Sequence, residues 1–338
     1  MKINWNIPPV SSDFRNTIHQ RSNLVPLLHF VLRMILHVSV ILFLIYSLKN
    51  NHLLLSLLLI FLNGLLTTFM GWAGAGHEYF HSTAFSSGRI NKILFRLFSC
   101  ATWNNWGWFE VSHLLHHKYT LHISDPESPA KHSMTFTRVL FLFSIDFPVM
   151  FRRLRILFSN CLGTVPTNSI AIKQIIDTKP NLAKRVRLGA LSVFAYQFSV
   201  FLFLTTISFK LAVIVFFAPF TFTIINKIVE IVQHVSMTEH AFDFRDNSRT
   251  VRFNRFLEFL YANMNFHAEH HMYPGTPYYN LPALHNRLLT DGVTTTPQKG
   301  LWLASKIAFR SQVNMVSENS CISCYADCPI KNSDILDN

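Results

Sequence analysis

Four stretches of the chain hold apolar residues almost without a break. Leu24 to Ser47 is interrupted mainly by His29, Arg33 and His37, and Leu53 to Ala73 carries no charge. Only Leu48 to His52 separates them, so the two predict a helical hairpin. Leu188 to Phe209 and Leu211 to Val232 repeat the arrangement, with Lys210 marking a tight turn. The last run is polar only near its end, at Asn226, Lys227 and Glu230. About 20 apolar residues at roughly 1.5 Å rise each cross the hydrocarbon of a bilayer. The pattern predicts an all-α integral membrane protein with four transmembrane helices in two hairpins.

Two further apolar segments are too interrupted to span. Met134 to Ser159 is rich in Phe and Leu but carries Arg138, Asp146, Arg152, Arg153 and Arg155. It predicts an amphipathic helix lying in the interface, apolar face in lipid and arginines in water. Asn91 to Glu110 reads the same way, with Trp103, Trp106 and Trp108 suited to the headgroup belt. From Ser311 the chain turns polar and aperiodic. Residues 1–310 are therefore expected to form one membrane domain and residues 311–338 a cysteine-containing polar tail.

Composition agrees with a membrane setting. Half of the chain is hydrophobic and 14% is charged, against about a quarter charged in soluble domains. The net charge of +12 would suit nucleic acid in a soluble protein. Here the positive residues lie between apolar runs, which favours a membrane surface. No helix-turn-helix, zinc-finger or RNP pattern supports nucleic-acid binding. Residues 134–187 hold nine Lys and Arg, while the hairpin turns hold only Lys49 and Lys210. The positive-inside rule then places both termini and the central segment in the cytoplasm. Residues 1–23 are polar and lack the apolar core of a cleaved signal peptide. Five cysteines, an odd number with three near the end, do not make a secreted disulfide framework.

Chemistry is concentrated in histidine. Ten of the 17 histidines fall into four groups: His77 and His81; His113, His116 and His117; His234 and His240; and His267, His270 and His271. Spacings of three and four place side chains on one helix face. His77 falls about one turn beyond the second span, and His234 just past the fourth. Both hairpins would thus lift a ligand to the same depth, forming a cytoplasmic histidine-rich cap. Each triplet at i, i+3, i+4 can give two ligands to one metal and one to another. Four such groups exceed what a single zinc takes, so a site with two metals is expected. Depth favours His234 over His240, which reads as a neighbour of the site. His122, His132 and His285 read as neighbours or surface groups, and His29, His37 and His52 as packing residues.

Two other classes fit less well. His77-Glu78-Tyr79-Phe80-His81 matches the HExxH zinc-protease motif. That reading leaves the other histidine groups idle. A metal transporter or sensor would want polar residues at mid-membrane depth, and the four runs have few.

The stretch from Asn263 to Pro274, with His267-Ala268-Glu269-His270-His271 at its centre, continues through Pro277 and Pro282 to His285. With HxxxH and HxxHH before it, this resembles the membrane fatty acid desaturase and hydroxylase superfamily. Gln233-His234, Thr238-Glu239-His240 and Asn247-Ser248-Arg249-Thr250 resemble its bacterial-type branch, which includes enzymes acting on small metabolites. The similarity runs from about Leu53 to His285.

The resemblance implies two iron ions held almost entirely by histidine. The ligands would be His77, His81, His113, His116, His117, His234, His267, His270 and His271. Glu230 would be a further ligand or a neighbour through water. Glu78, Asp125 and Glu269 would orient imidazoles through their second nitrogens. Imidazole suits iron, zinc, copper and nickel alike, but attack on an unactivated C–H bond needs a redox metal and O2. The implied activity is O2-dependent desaturation of a fatty acyl chain of a lipid. A hydroxylase or monooxygenase on the same scaffold and a desaturase of a small metabolite are the alternatives. No flavin, nicotinamide or haem module is visible, so a separate electron donor, ferredoxin-like or cytochrome, is expected on the basic face. Cys321, Cys324 and Cys328 offer three thiols, one short of the usual cluster or zinc set; a free reduced tail is the expectation.

Overall fold

The computed structural model describes residues 3–128, 136–167, 169–294 and 296–318. Helices dominate. The short helix α1 (Ser12–Ile18) leads into α2 (Leu24–Lys49) and α3 (Leu53–Thr68), the first hairpin. Its turn uses Asn51 at φ 55, a left-handed conformation asparagine tolerates. The Ser47 and Ser56 hydroxyls bond across it at 2.6 Å.

The second apolar run is shorter as a helix than the sequence predicts. It stops at Thr68, and α4 (Ala75–Phe80) begins after a tight turn. Three glycines make that turn. A Cβ at Gly76 would lie 2.8 Å from the carbonyl oxygens of both Met70 and Gly71, and one at Gly74 would fall on the Phe69 carbonyl. The amides of Ala75 and Gly76 donate to the carbonyl oxygens of Phe69 and Met70 at 3.1 and 3.0 Å. His77 therefore does not ride on an extension of α3; it is placed by a separate short helix.

Residues 91–110 form parts of two helices rather than one, α5 (Gly88–Ala101) and α6 (Trp106–Tyr119). Trp103 and Trp106 are buried in the core, not set at headgroup level. Their indole N–H groups donate to Phe216 O (3.3 Å) and Ser192 Oγ (3.0 Å). Asn105 caps α6 through the amides of Gly107 and Trp108. Its own amide reaches Asn160 Oδ1 and Val186 O. The expected interfacial helix over 134–159 is likewise two, α7 (Phe136–Phe143) and α8 (Phe147–Cys161); Met134 lies outside the described residues. Asp146 makes the break. It caps Val149 N at 3.1 Å and takes both guanidinium nitrogens of Arg138.

After α9 (Ile170–Thr178) comes the second hairpin, α10 (Pro180–Thr205) and α11 (Phe209–Phe217). Lys210 sits inside α11; the turn is made before it, with Ser208 capping Leu211 N. The fourth apolar run is also broken. A 3-10 turn with Pro219 (Ala218–Phe220) follows α11, and α12 (Ile224–Ile231) starts anew. Proline cannot continue the backbone ladder.

The C-terminal third holds the short helices α13 (Phe244–Asn247), α14 (Arg255–Leu260), α15 (His267–Met272) and α16 (Leu281–Thr290), then α17 (Leu301–Glu318). α17 passes through Ser311, where the sequence suggested a tail. Strands β1 (Val251–Arg252) and β2 (Gln298–Lys299) pair in parallel. His132, Cys321, Cys324 and Cys328 lie outside the described residues.

Two helices, α2 and α10, are long and apolar enough to cross a membrane; α3 and Phe209–Phe220 are shorter apolar helices. Their outer faces expose residues such as Leu32, Leu42, Phe43, Phe198 and Phe203, more contiguous apolar surface than water tolerates. Arg33 is the buried charged residue of α2. Its guanidinium donates to the carbonyls of Leu260 (2.9 Å) and Phe259 and lies 4.5 Å from the Phe259 ring centre, tying α2 to α14.

Candidate metal centre

Short helices bring all nine of the singled-out histidines together, in two groups. His77 and His81 come from α4 and its end, His113 and His117 from α6, and His270 from α15. The second group is His116 from α6, His234 just beyond α12, and His267 and His271 from α15. Within each group the nitrogens lie within 4.8 Å of one another. Each triplet divides by its helical spacing. Positions i and i+4 of α6 face one group and i+3 the other; in α15 the assignment is reversed. The turn before α15 holds Ala262 and Asn263 at positive φ, 51 and 54, strain of the kind often kept where a site must be aimed.

The nitrogens that converge are Nε2. His113 Nε2 lies 3.2 Å from that of His81 and 3.0 Å from that of His117, which is 3.1 Å from that of His270. In the second group His267 Nε2 lies 2.8 Å from that of His234 and 3.0 Å from that of His271. Two adjacent ligands held at about 2.1 Å from one ion at right angles lie about 3.0 Å apart. His77 Nε2 is buried without any hydrogen-bond partner. The donor set therefore fits two metal ions.

The outer nitrogens fix which atom carries the proton. His77 Nδ1 donates to Glu78 Oε1 (2.9 Å), His113 Nδ1 to Glu127 Oε2 (2.9 Å), His116 Nδ1 to Asp125 (3.0 Å) and His234 Nδ1 to Asn247 O (2.8 Å). Thr120 Oγ1 already donates to His116 O at 2.6 Å, so it accepts from His271 Nδ1 at 3.2 Å. Each such bond turns an Nε2 lone pair inward. Burial, and then the neighbouring imidazoles, hold His77, His81, His113, His117, His267, His270 and His271 well below the usual histidine range. The same causes lower His234 to about 3. Neutral imidazole is the form a metal needs. His116 differs: burial pulls it down, but the Asp125 carboxylate, its hydrogen bond and Glu127 together raise it.

The remaining expected residues separate. Glu78 and Asp125 hold imidazoles of the two groups. Glu269 does not: it accepts from His285 Nδ1 (2.6 Å) and Thr250 Oγ1 (2.5 Å), so it braces buried His285 instead. Glu230 lies outside both groups, pairs with Lys227 at 3.2 Å and lines the adjoining cavity. His240 is exposed and set edge-on to His122. Glu127 was missed by the sequence. Its only signal is position, two residues after Asp125 in the loop following the second triplet. A segment from the N-terminus also reaches the site: Trp5 stacks on Phe244 at 4.1 Å, Phe244 lies 5.3 Å from the His271 ring, and Tyr273 donates to Pro8 O.

A cavity of about 440 Å³ adjoins both groups. His77 and His113 of the first and His116, His234 and His267 of the second line it, with Trp72, Phe109, Tyr261 and the inner face of α8.

Asp125 gives a direct test of these outer bonds. Asp125→Ala removes the acceptor for His116 and is expected to weaken metal binding about 10- to 100-fold. Chelator competition on purified protein measures this; unchanged affinity would refute the orienting role.

Fold and site together define a helical protein with membrane-length helices and two convergent histidine groups of metal-binding character. The chain belongs to the fatty acid desaturase family, whose model (Fatty acid desaturase) matches residues 51–295. No curated protein matches the chain. Membership points to an oxidoreductase working on fatty acyl chains, and the apolar helices point to a membrane setting.

Proposed function

We propose that the chain is an O2-dependent, di-iron membrane oxidoreductase that desaturates an acyl chain of a lipid. The supporting observation is that two groups of inward-facing imidazoles border one cavity. His77, His81, His113, His117 and His270 would hold one iron, and His116, His234, His267 and His271 the other. Two iron ions there would supply the oxidising power, with O2 and two external electrons, to take two hydrogens from adjacent carbons. In balance, the saturated chain, O2, two electrons and two protons give the alkene and two waters. Glu78, Asp125 and Glu127 keep their imidazoles protonated at Nδ1. Trp72, Phe109 and the body of Tyr261 limit water around the reacting carbons.

The membrane arrangement in this proposal is two hairpins: α2 with α3, and α10 with α11 and its 3-10 extension. α3 at 16 residues rises about 24 Å, a short span suited to a helix that ends beneath the metals. Positive charge between the hairpins argues that the termini and histidines face the cytoplasm. A separate electron donor, ferredoxin-like or cytochrome, would meet the basic face.

Expression in a host of simple lipid profile tests the function. New double bonds, with about two irons per purified chain, are expected. New alcohols without new double bonds would overturn desaturation in favour of hydroxylation, and protein without iron would overturn both.

A further inference from the structure

The cavity beside the histidines is unexpectedly charged for one that serves a hydrocarbon chain. α8 lines it with Val149, Arg152, Arg153, Ile156 and Leu157, one helix face by spacing. Arg138 and Lys227 add two more cations. The acidic groups on the wall are largely engaged: Asp146 takes the Arg138 guanidinium, Glu230 pairs with Lys227, and Glu127 accepts from Ser112 and His113.

That leaves two adjacent guanidiniums in excess. Arg152 is exposed toward solvent and cavity and makes no hydrogen bond or ion pair among the described residues. Arg153 is half-buried; one nitrogen donates to Thr102 O at 2.9 Å, and the group lies 5.4 Å from the Phe220 ring centre. Its other donors make no hydrogen bond among the described residues. Burial, and then Arg152 beside it, depress it to about 10 even with the Glu230 and Asp146 carboxylates pulling the other way, and a bound anion would add to that pull. Guanidinium is the side chain best matched to the two oxygens of a carboxylate or phosphate. Apolar Val149, Ile156 and Leu157 flank the pair, as an amphiphile requires. A volume of about 440 Å³ holds roughly 15 water-sized groups, enough for a head group and part of a chain.

We propose that Arg152 and Arg153 form a binding site for the anionic head group, carboxylate or phosphate, of the acyl substrate. This rests on the oxidoreductase reading only in calling the ligand a substrate; the site itself is tested by binding, without turnover. The full chain, purified in a neutral detergent, is titrated with hexadecanoate, hexadecyl phosphate and hexadecanol. Both anions are expected to bind about tenfold or more tighter than the alcohol, with an advantage that shrinks as salt rises. Arg152→Gln, which disturbs no internal bond, is expected to cost the anions about tenfold and the alcohol nothing, while Arg152→Lys, which keeps the charge but not the planar fork, falls between the two. A stronger effect on hexadecyl phosphate would identify a phosphate-bearing acyl group as the source, and on hexadecanoate a free acid. Equal binding of acid and alcohol, or an unchanged Arg152→Gln, would overturn the proposal. Anion binding without oxidised acyl products in cells would instead overturn the function and leave the site standing.

Discussion

His116→Ala is expected to abolish turnover and to leave about one iron per chain. Two effects combine. The second group falls from four imidazoles to three, and Asp125, almost fully buried, loses the imidazole N–H it accepts. Asp125 keeps the backbone N–H groups of Leu121 and Glu127, each at 2.9 Å, but a buried carboxylate that loses one of its hydrogen-bond donors is destabilised. His270→Ala provides the contrast. Its Nδ1 has no partner, so no acceptor is stranded, and four imidazoles remain in the first group. It should also abolish turnover but retain more metal. Metal analysis beside lipid analysis checks both. Retained activity in either variant, or greater iron loss from His270→Ala, would sink the grouping. Both proteins should insert in the membrane normally, since neither residue lies in an apolar run.

Gly107→Ala should be strongly destabilising for a change of one methyl group. Gly107 lies where the start of α6 crosses α10. A Cβ there would fall on the Arg185 carbonyl oxygen, 2.6 Å from its carbon and 2.8 Å from Val186 N. Backbone cannot swing away as a side chain can, so α6 must move off α10. Overpacking of this kind costs about 1–3 kcal/mol or more. The same displacement carries His113, His116 and His117 with it, so melting temperature and activity should fall together. Gly88→Ala is the control: nothing lies within 4 Å of its added carbon. Its melting temperature should stay near the parent's, and a Gly107→Ala protein as stable as Gly88→Ala would refute the crossing.

The parts legible in sequence were those with a period. The i, i+3, i+4 spacing of His113, His116 and His117 puts all three toward one side and allows a two-to-one division; that His113 pairs with His117 comes from the structure. Apolar run length located α2 and α10. What escaped depends on local breaks and tertiary contact. Gly71 lies inside the second apolar run and Gly74 and Gly76 just past its end, so the run's hydropathy hides the turn they make, and Pro219 was a visible stop that the fourth run obscured. Trp103 and Trp106 look identical in sequence whether they face headgroups or a core; their N–H partners, Phe216 and Ser192, lie roughly 90 to 110 residues away. Glu269 sits inside a histidine triplet yet braces His285, while Glu127, outside every motif, holds His113.

Four separate stretches of chain, around residues 77, 113, 234 and 267, meet at the two histidine groups. The cysteines described, Cys100 and Cys161, are free. Ions joining those stretches would act as the missing cross-links, closing long loops whose freedom the unfolded chain otherwise keeps. Metal affinity then becomes folding stability. Iron starvation would accordingly lower the amount of protein in the cell rather than build up an intact but idle pool.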